Sequence, residues 1–67
     1  MLKSNLLMNC LWYEDISPDE LSIILELTSE QLYRKIFQEE DFTEEEIKKI
    51  TDLLGLSVSE RDLIFYS

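Results

Sequence analysis

Histidine is absent from this sequence, and cysteine, glycine and proline occur once each. Without histidine the chain lacks the usual proton shuttle near neutral pH and the commonest metal ligand. The lone Cys10 allows no internal disulfide and no cysteine-rich metal site, and it suits a reducing interior. On an apolar helix stripe it reads as inert core. Gly55 and Pro18 leave little material for hairpins. There is no glycine-rich phosphate loop and no nucleophile elbow. An enzyme is therefore the least expected class, and no cofactor is implied.

Basic residues are scarce too: six, against 15 acids, for a net charge of −9. Binding to a duplex draws on Lys and Arg contacts to phosphate. A chain this acidic is repelled at long range unless its bases gather on one face. Anionic membrane surfaces are disfavoured on the same ground. The opening MLKSNLLMNCLWYED soon meets Glu14 and Asp15, too early for a signal peptide or a membrane span. A cytoplasmic location is expected. The chain ends on an apolar run at residues 63–66, as the N-terminal part of a longer regulator would.

Apolar residues make up 45% of the chain, enough for one compact domain over residues 1–67. So short a chain buries only about 60% of its unfolded surface, so a homodimer would add stability. Leu, Ile, Glu and Lys favour helices. The reading is an all-α bundle of four to five short helices.

Helix starts are well marked. The first helix is expected over residues 3–13, with Leu6, Leu7, Cys10 and Leu11 inward. Ser17 caps the second, with Pro18 at its first position and Glu20 completing a capping box. Leu21, Ile24 and Leu25 form its stripe. Thr28 with Gln31 opens the third, where Leu32 and Ile36 face inward. Thr43 with Glu46 opens the fourth, and Phe42 and Ile47 match a hydrophobic staple. Ile47, Ile50, Leu53 and Leu54 follow, and Gly55 stands where a left-handed residue is wanted. Ser57 with Glu60 opens a last helix that ends in Leu63, Ile64, Phe65 and Tyr66. Acids in these first turns also suit the helix dipole.

Residues 21–47, LSIILELTSEQLYRKIFQEEDFTEEEI, carry most of the functional signal. Leu21, Ser22, Leu25, Leu27 and Thr28 are spaced as two helices around a tight turn. Leu32, Arg34, Lys35 and Ile36 follow on the second of them. Asp41, Phe42, Thr43, Ile47, Leu54, Gly55, Leu56 and Ser57 close the pattern. Over residues 6–66 this resembles the Cro/phage-repressor-like helix-turn-helix family, especially small prophage regulators. The resemblance implies a lambda-repressor-like fold and a Cro-like transcriptional repressor of phage or mobile-element type. It would bind operator DNA through the helix starting at Thr28. Ser29, Gln31, Tyr33, Arg34 and Lys35 would then be the DNA-binding residues, Gln31 on adenine and Arg34 on guanine or phosphate.

Departures from the family fall near the phosphate side. Glu26 stands where glycine usually relieves a positive φ, so the turn is strained or different. Ser29 and Glu30 stand where glutamine or arginine is common. Residues 38–46 (QEEDFTEEE) hold six carboxylates and no base. An alternative follows: a helix-turn-helix scaffold that binds a basic protein partner as an antirepressor, inhibitor or DNA mimic. Its contacts would be Glu39, Glu40, Asp41, Glu44 and Glu45. The plainer account of this arc is solubility and capping. A calcium site is disfavoured, since no D-x-D-x-D-G spacing occurs. Among the aromatics, Trp12, Tyr13 and Phe37 are candidate interface anchors. Phe65 and Tyr66 are expected to pack on the first helix or form a dimer seam.

Overall fold

The computed structural model describes residues 2–38 and 40–66 and contains, among them, five helices and no strand. These are α1 (Ser4–Tyr13), α2 (Pro18–Ile24), α3 (Ser29–Phe37), α4 (Glu44–Leu54) and α5 (Val58–Phe65). Ser17, Thr28, Thr43 and Ser57 each cap a helix, and Glu20, Gln31, Glu46 and Glu60 each close the reciprocal box. Four of the five helix starts therefore use one local device, which satisfies donors that the first turn leaves unpaired.

Three helix ends share a second device. After α1, α2 and α4 a left-handed residue follows: Asp15 at φ 58°, Glu26 at φ 58° and Gly55 at φ 64°. The next residue donates its N–H five positions back, Ile16 to Leu11, Leu27 to Ser22 and Leu56 to Thr51. This is the Schellman arrangement. Ile16, Leu27 and Leu56 all pack partly buried against the core. Each is followed at once by the next N-cap. Asp-Ile-Ser, Glu-Leu-Thr and Gly-Leu-Ser thus end one helix, plug an apolar side chain and start another helix, all within three residues.

The core draws on every helix. Leu7, Leu11, Leu21, Leu32 and Ile50 are essentially fully buried, and Phe42 meets Phe65 edge-on at 5.9 Å. Two hydrogen bonds tie the start of α1 to distant helix ends. The Lys3 N–H donates to the Ile64 carbonyl at 2.7 Å, and the Ser4 hydroxyl donates to the Ile36 carbonyl. No helix among the described residues is long and apolar enough to cross a membrane.

Several expected core positions move to the flanks. In α1 the inner row is Leu7 and Leu11, while Leu6 and Cys10 are only half-buried. Ile24 is 40% exposed, because Leu21 and Leu25 take the inward row and Ile24 lies about 100° round from Leu25. Leu53, Leu63 and Tyr66 are exposed for the same geometric reason, beside the inward Leu54, Ile64 and Phe65. Glu26 adopts a positive φ of 58°, a conformation that is strained for a residue with a Cβ. Burial raises the Cys10 thiol, and Glu60 and Glu14 raise it further, which disfavours the thiolate.

A left-handed non-glycine residue costs about 1–2 kcal/mol against glycine's smaller entropic cost of about 0.5–1. Glu26→Gly and Asp15→Gly are each expected to raise the melting temperature by a few degrees. Gly55→Ala, with open space around its Cβ position, should lower it through backbone strain alone. Glu26→Gln separates the charge effect, and thermal unfolding by circular dichroism reads all four. Glu60 is held below the ordinary 4.5 by hydrogen bonds from the Ser57 backbone and side chain. That contribution is complete above the ordinary value and is lost as pH falls through the lowered one. The stability gap between the parent chain and Glu60→Ala should therefore narrow as pH falls below about 4.5.

Candidate functional site

Helix α3 is the element to which the sequence assigns contact with a partner. Residues 25–28 join it to α2, and the buried Ser22 hydroxyl folds back onto the Asp19 carbonyl at 2.7 Å. Leu32 and Ile36 seat α3 on the core. Its outward face then carries Ser29, Glu30, Tyr33 and Phe37, with Gln31 and Arg34 to the side.

The two cations of α3 are engaged within the fold. Lys35 Nζ lies 3.1 Å from Glu46 and donates to the Asp41 carbonyl at 3.0 Å. The Lys35 and Glu46 side chains are only 16% and 13% exposed. The same ammonium sits 5.7 Å from the centre of the Phe42 ring. Lys35 therefore braces α3 against the start of α4 and points away from any ligand of the outer face. Arg34 lies between Glu30 at 3.6 Å and Glu40 at 3.8 Å, and its Nε has no hydrogen-bond partner among the described residues. Its side chain is partly exposed, so these pairs are weak.

The other sequence candidates separate. Gln31 is exposed, but its Oε1 accepts from the Thr28 N–H at 2.9 Å, leaving only its amide nitrogen for a ligand. Ser29 donates weakly to Asp19 across α2 at 3.5 Å. Tyr33 and Phe37 are both about half exposed, with ring centres 4.9 Å apart. Ser29 and Tyr33 lie on one flank of α3 and Gln31 on the other, with the partly exposed Arg34 between them; Lys35 is drawn toward α4.

The acidic arc is also partly absorbed. Glu46 is both a capping residue and the partner of Lys35. Glu40 faces Arg34, and Glu45 lies 3.8 Å from Lys49. Asp41 and Glu44 are exposed. Glu39 lies outside the described residues. Five of the six basic side chains stand within 4 Å of a carboxylate: Arg34, Lys35, Lys48, Lys49 and Arg61. The described residues hold no cluster of ligands for a metal ion.

The sequence marks Trp12 and Phe37 as candidate anchors but not the clefts that they line. Trp12 is 87% exposed and lines a cleft of about 530 Å³ between α1 and the start of α2, together with Met8 and Pro18. Met8 and Pro18 also line a second cleft of about 220 Å³ that runs to Tyr33 and Phe37. The signal was available. Met8 and Trp12 form an i, i+4 row beside the core row Leu7–Leu11, as Tyr33 and Phe37 do beside Leu32–Ile36.

Breaking the Lys35–Glu46 pair leaves a poorly solvated charge, so Lys35→Ala should cost about 1–3 kcal/mol in chemical denaturation. Arg34→Ala should cost less than about 1 kcal/mol. Equal, small effects would mean that Lys35 is as free as Arg34. Comparison with protein-family models, curated proteins and solved structures finds no match, so function rests on the geometry of this face.

Proposed function

We propose that this chain is a small regulator on a Cro-like helix-turn-helix scaffold whose α3 face binds a protein rather than operator DNA. The observation that carries this reading is the engagement of both α3 cations by carboxylates of the fold. Duplex binding gains most of its affinity by releasing counterions from phosphate through Lys and Arg. Here Lys35 is turned inward, and Arg34 would have to leave two carboxylates. The outward row is aromatic instead, and exposed aromatic side chains serve well as anchors in protein interfaces. Carboxylates near α3, with Glu30 and Glu40 beside Arg34 and Asp19 beside Tyr33, give the face a negative field that selects a basic partner. The reading places the protein in the reducing interior of a cell, as an antirepressor or inhibitor and not as a catalyst.

Operator binding is the second reading, and one observation favours it. Ser29, Gln31, Tyr33 and Arg34 lie exposed or partly exposed on α3, the surface such a helix presents to a major groove. The Arg34 pairs are weak enough for a phosphate to displace them.

Amide chemical-shift titration with the duplex upstream of the protein's own gene, at low salt, separates the two. The protein-binding reading expects no shift of residues 28–37 at about 50 µM protein, where the electrostatic contribution is largest. Saturable shifts on α3 that weaken steeply with added salt would overturn it in favour of operator binding.

A further inference from the structure

We infer that the groove formed by Met8, Trp12, Pro18, Tyr33 and Phe37 is the docking site, and that its occupant is a basic amphipathic helix of a partner protein. This deepens the protein-binding reading above and rests on it.

The groove is built from second rows. On α1 the core row is Leu7–Leu11, and the Met8–Trp12 row stands about 100° round from it. On α3 the core row is Leu32–Ile36, and the Tyr33–Phe37 row is offset by the same single residue. Both second rows are apolar, and Pro18 at the start of α2 lies between them. The two clefts meet at Met8 and Pro18, so one apolar track runs from Trp12 to Phe37. The chain's one tryptophan is at the exposed end of this track, while the core is filled by aliphatic side chains, Phe42 and Phe65. Tryptophan offers a large amphipathic surface with few rotatable bonds, so it anchors a partner at low entropic cost. Met8 adapts its shape to what it meets.

Charge identifies the occupant. The lining includes Asp15 and Glu20 beside Trp12 and Asp19 beside Tyr33, and no cationic side chain. All three acids are exposed. An apolar track edged by carboxylates complements a helix with an apolar stripe flanked by Lys or Arg. A second copy of this chain fits poorly. It carries a net charge of −9, and five of its six bases are already paired. A nucleic acid fails on the same charge.

The test uses the intact chain and two tryptophan-free helical peptides of about 18 residues, one Lys/Leu and one Glu/Leu, with the same leucine spacing. Trp12 emission and amide shifts report the site, and calorimetry reports affinity. The Lys/Leu peptide should bind in the micromolar range, shift Trp12 emission to the blue, and perturb residues 8–20 and 29–37. Trp12→Ala should weaken it about tenfold or more, as loss of an interface anchor does. The pair Asp15→Lys and Asp19→Lys should weaken it similarly, and added salt should weaken it further. Trp12 is exposed, so its removal leaves the core intact; the parent chain's shift map provides the same answer without any variant. Shifts centred on residues 40–45, equal binding of the Glu/Leu peptide, self-association through the groove on concentration, or no binding below about 1 mM would each overturn the inference. The outcome is separate from that of the operator titration. DNA shifts on α3 remove the protein-binding reading, whereas a basic peptide landing on the acidic arc removes only the groove.

Discussion

Each of the five helices is between 7 and 11 residues long. Isolated helices shorter than about 12–15 residues are marginal in water, because nucleation costs more than a few turns return. This fold therefore depends on how its helix ends are satisfied. Four reciprocal capping boxes supply the starts, and three Schellman ends supply the stops. Where a stop meets the next start, one apolar residue between them is drawn against the core. The local code therefore also sets the tertiary geometry. It fixes where α2, α3 and α5 begin relative to the layer beneath them. The exception is the link from α3 to α4, which shows no Schellman bond among the described residues. There the Lys35–Glu46 pair and the Lys35 bond to the Asp41 carbonyl hold the two helices together.

The same arrangement governs function through charge. Most of the bases are consumed by internal pairs, so the acid surplus is what the surroundings meet. Glu46 illustrates the trade. It satisfies the α4 start, neutralises Lys35, and so removes the innermost cation from the α3 face. On the proposed reading, α3 therefore offers a partner aromatic rings edged by carboxylates in place of free cations.

The helix starts and the alternation of caps were legible because they are local. A Ser or Thr with Glu or Gln three residues later needs no distant partner to act. The left-handed Glu26 was expected only from the resemblance, and Asp15, left-handed at the same φ, carried no comparable signal. The flank positions were harder. A stripe such as Leu21, Ile24 and Leu25 permits two rotations of the helix, and only packing against α3 selects Leu21 and Leu25. Lys35 shows the limit for the site. Its sequence position marks it as a ligand contact, but its direction is set by Glu46, 11 residues on, and by the Phe42 ring. The groove was written in the sequence as paired rows, Leu7–Leu11 with Met8–Trp12 and Leu32–Ile36 with Tyr33–Phe37. Its existence became visible only when α1 and α3 were placed side by side.

That placement also explains why the outer rows stay open. A chain of 67 residues has only enough apolar volume for one layer of core between its helices. Once Leu7, Leu11, Leu32 and Ile36 fill it, a second row on either helix has nothing of its own chain to cover it. Burying Trp12 and Phe37 would require another helix across α1 and α3. The carboxylates at Asp15, Asp19 and Glu20 repel any acidic element that might serve, including a copy of this chain. An acidic surface thus keeps an adhesive groove from pairing with itself while leaving it attractive to a basic helix. On the proposed reading, the same net charge of −9 that argues against phosphate gives the groove its preference for a basic helix.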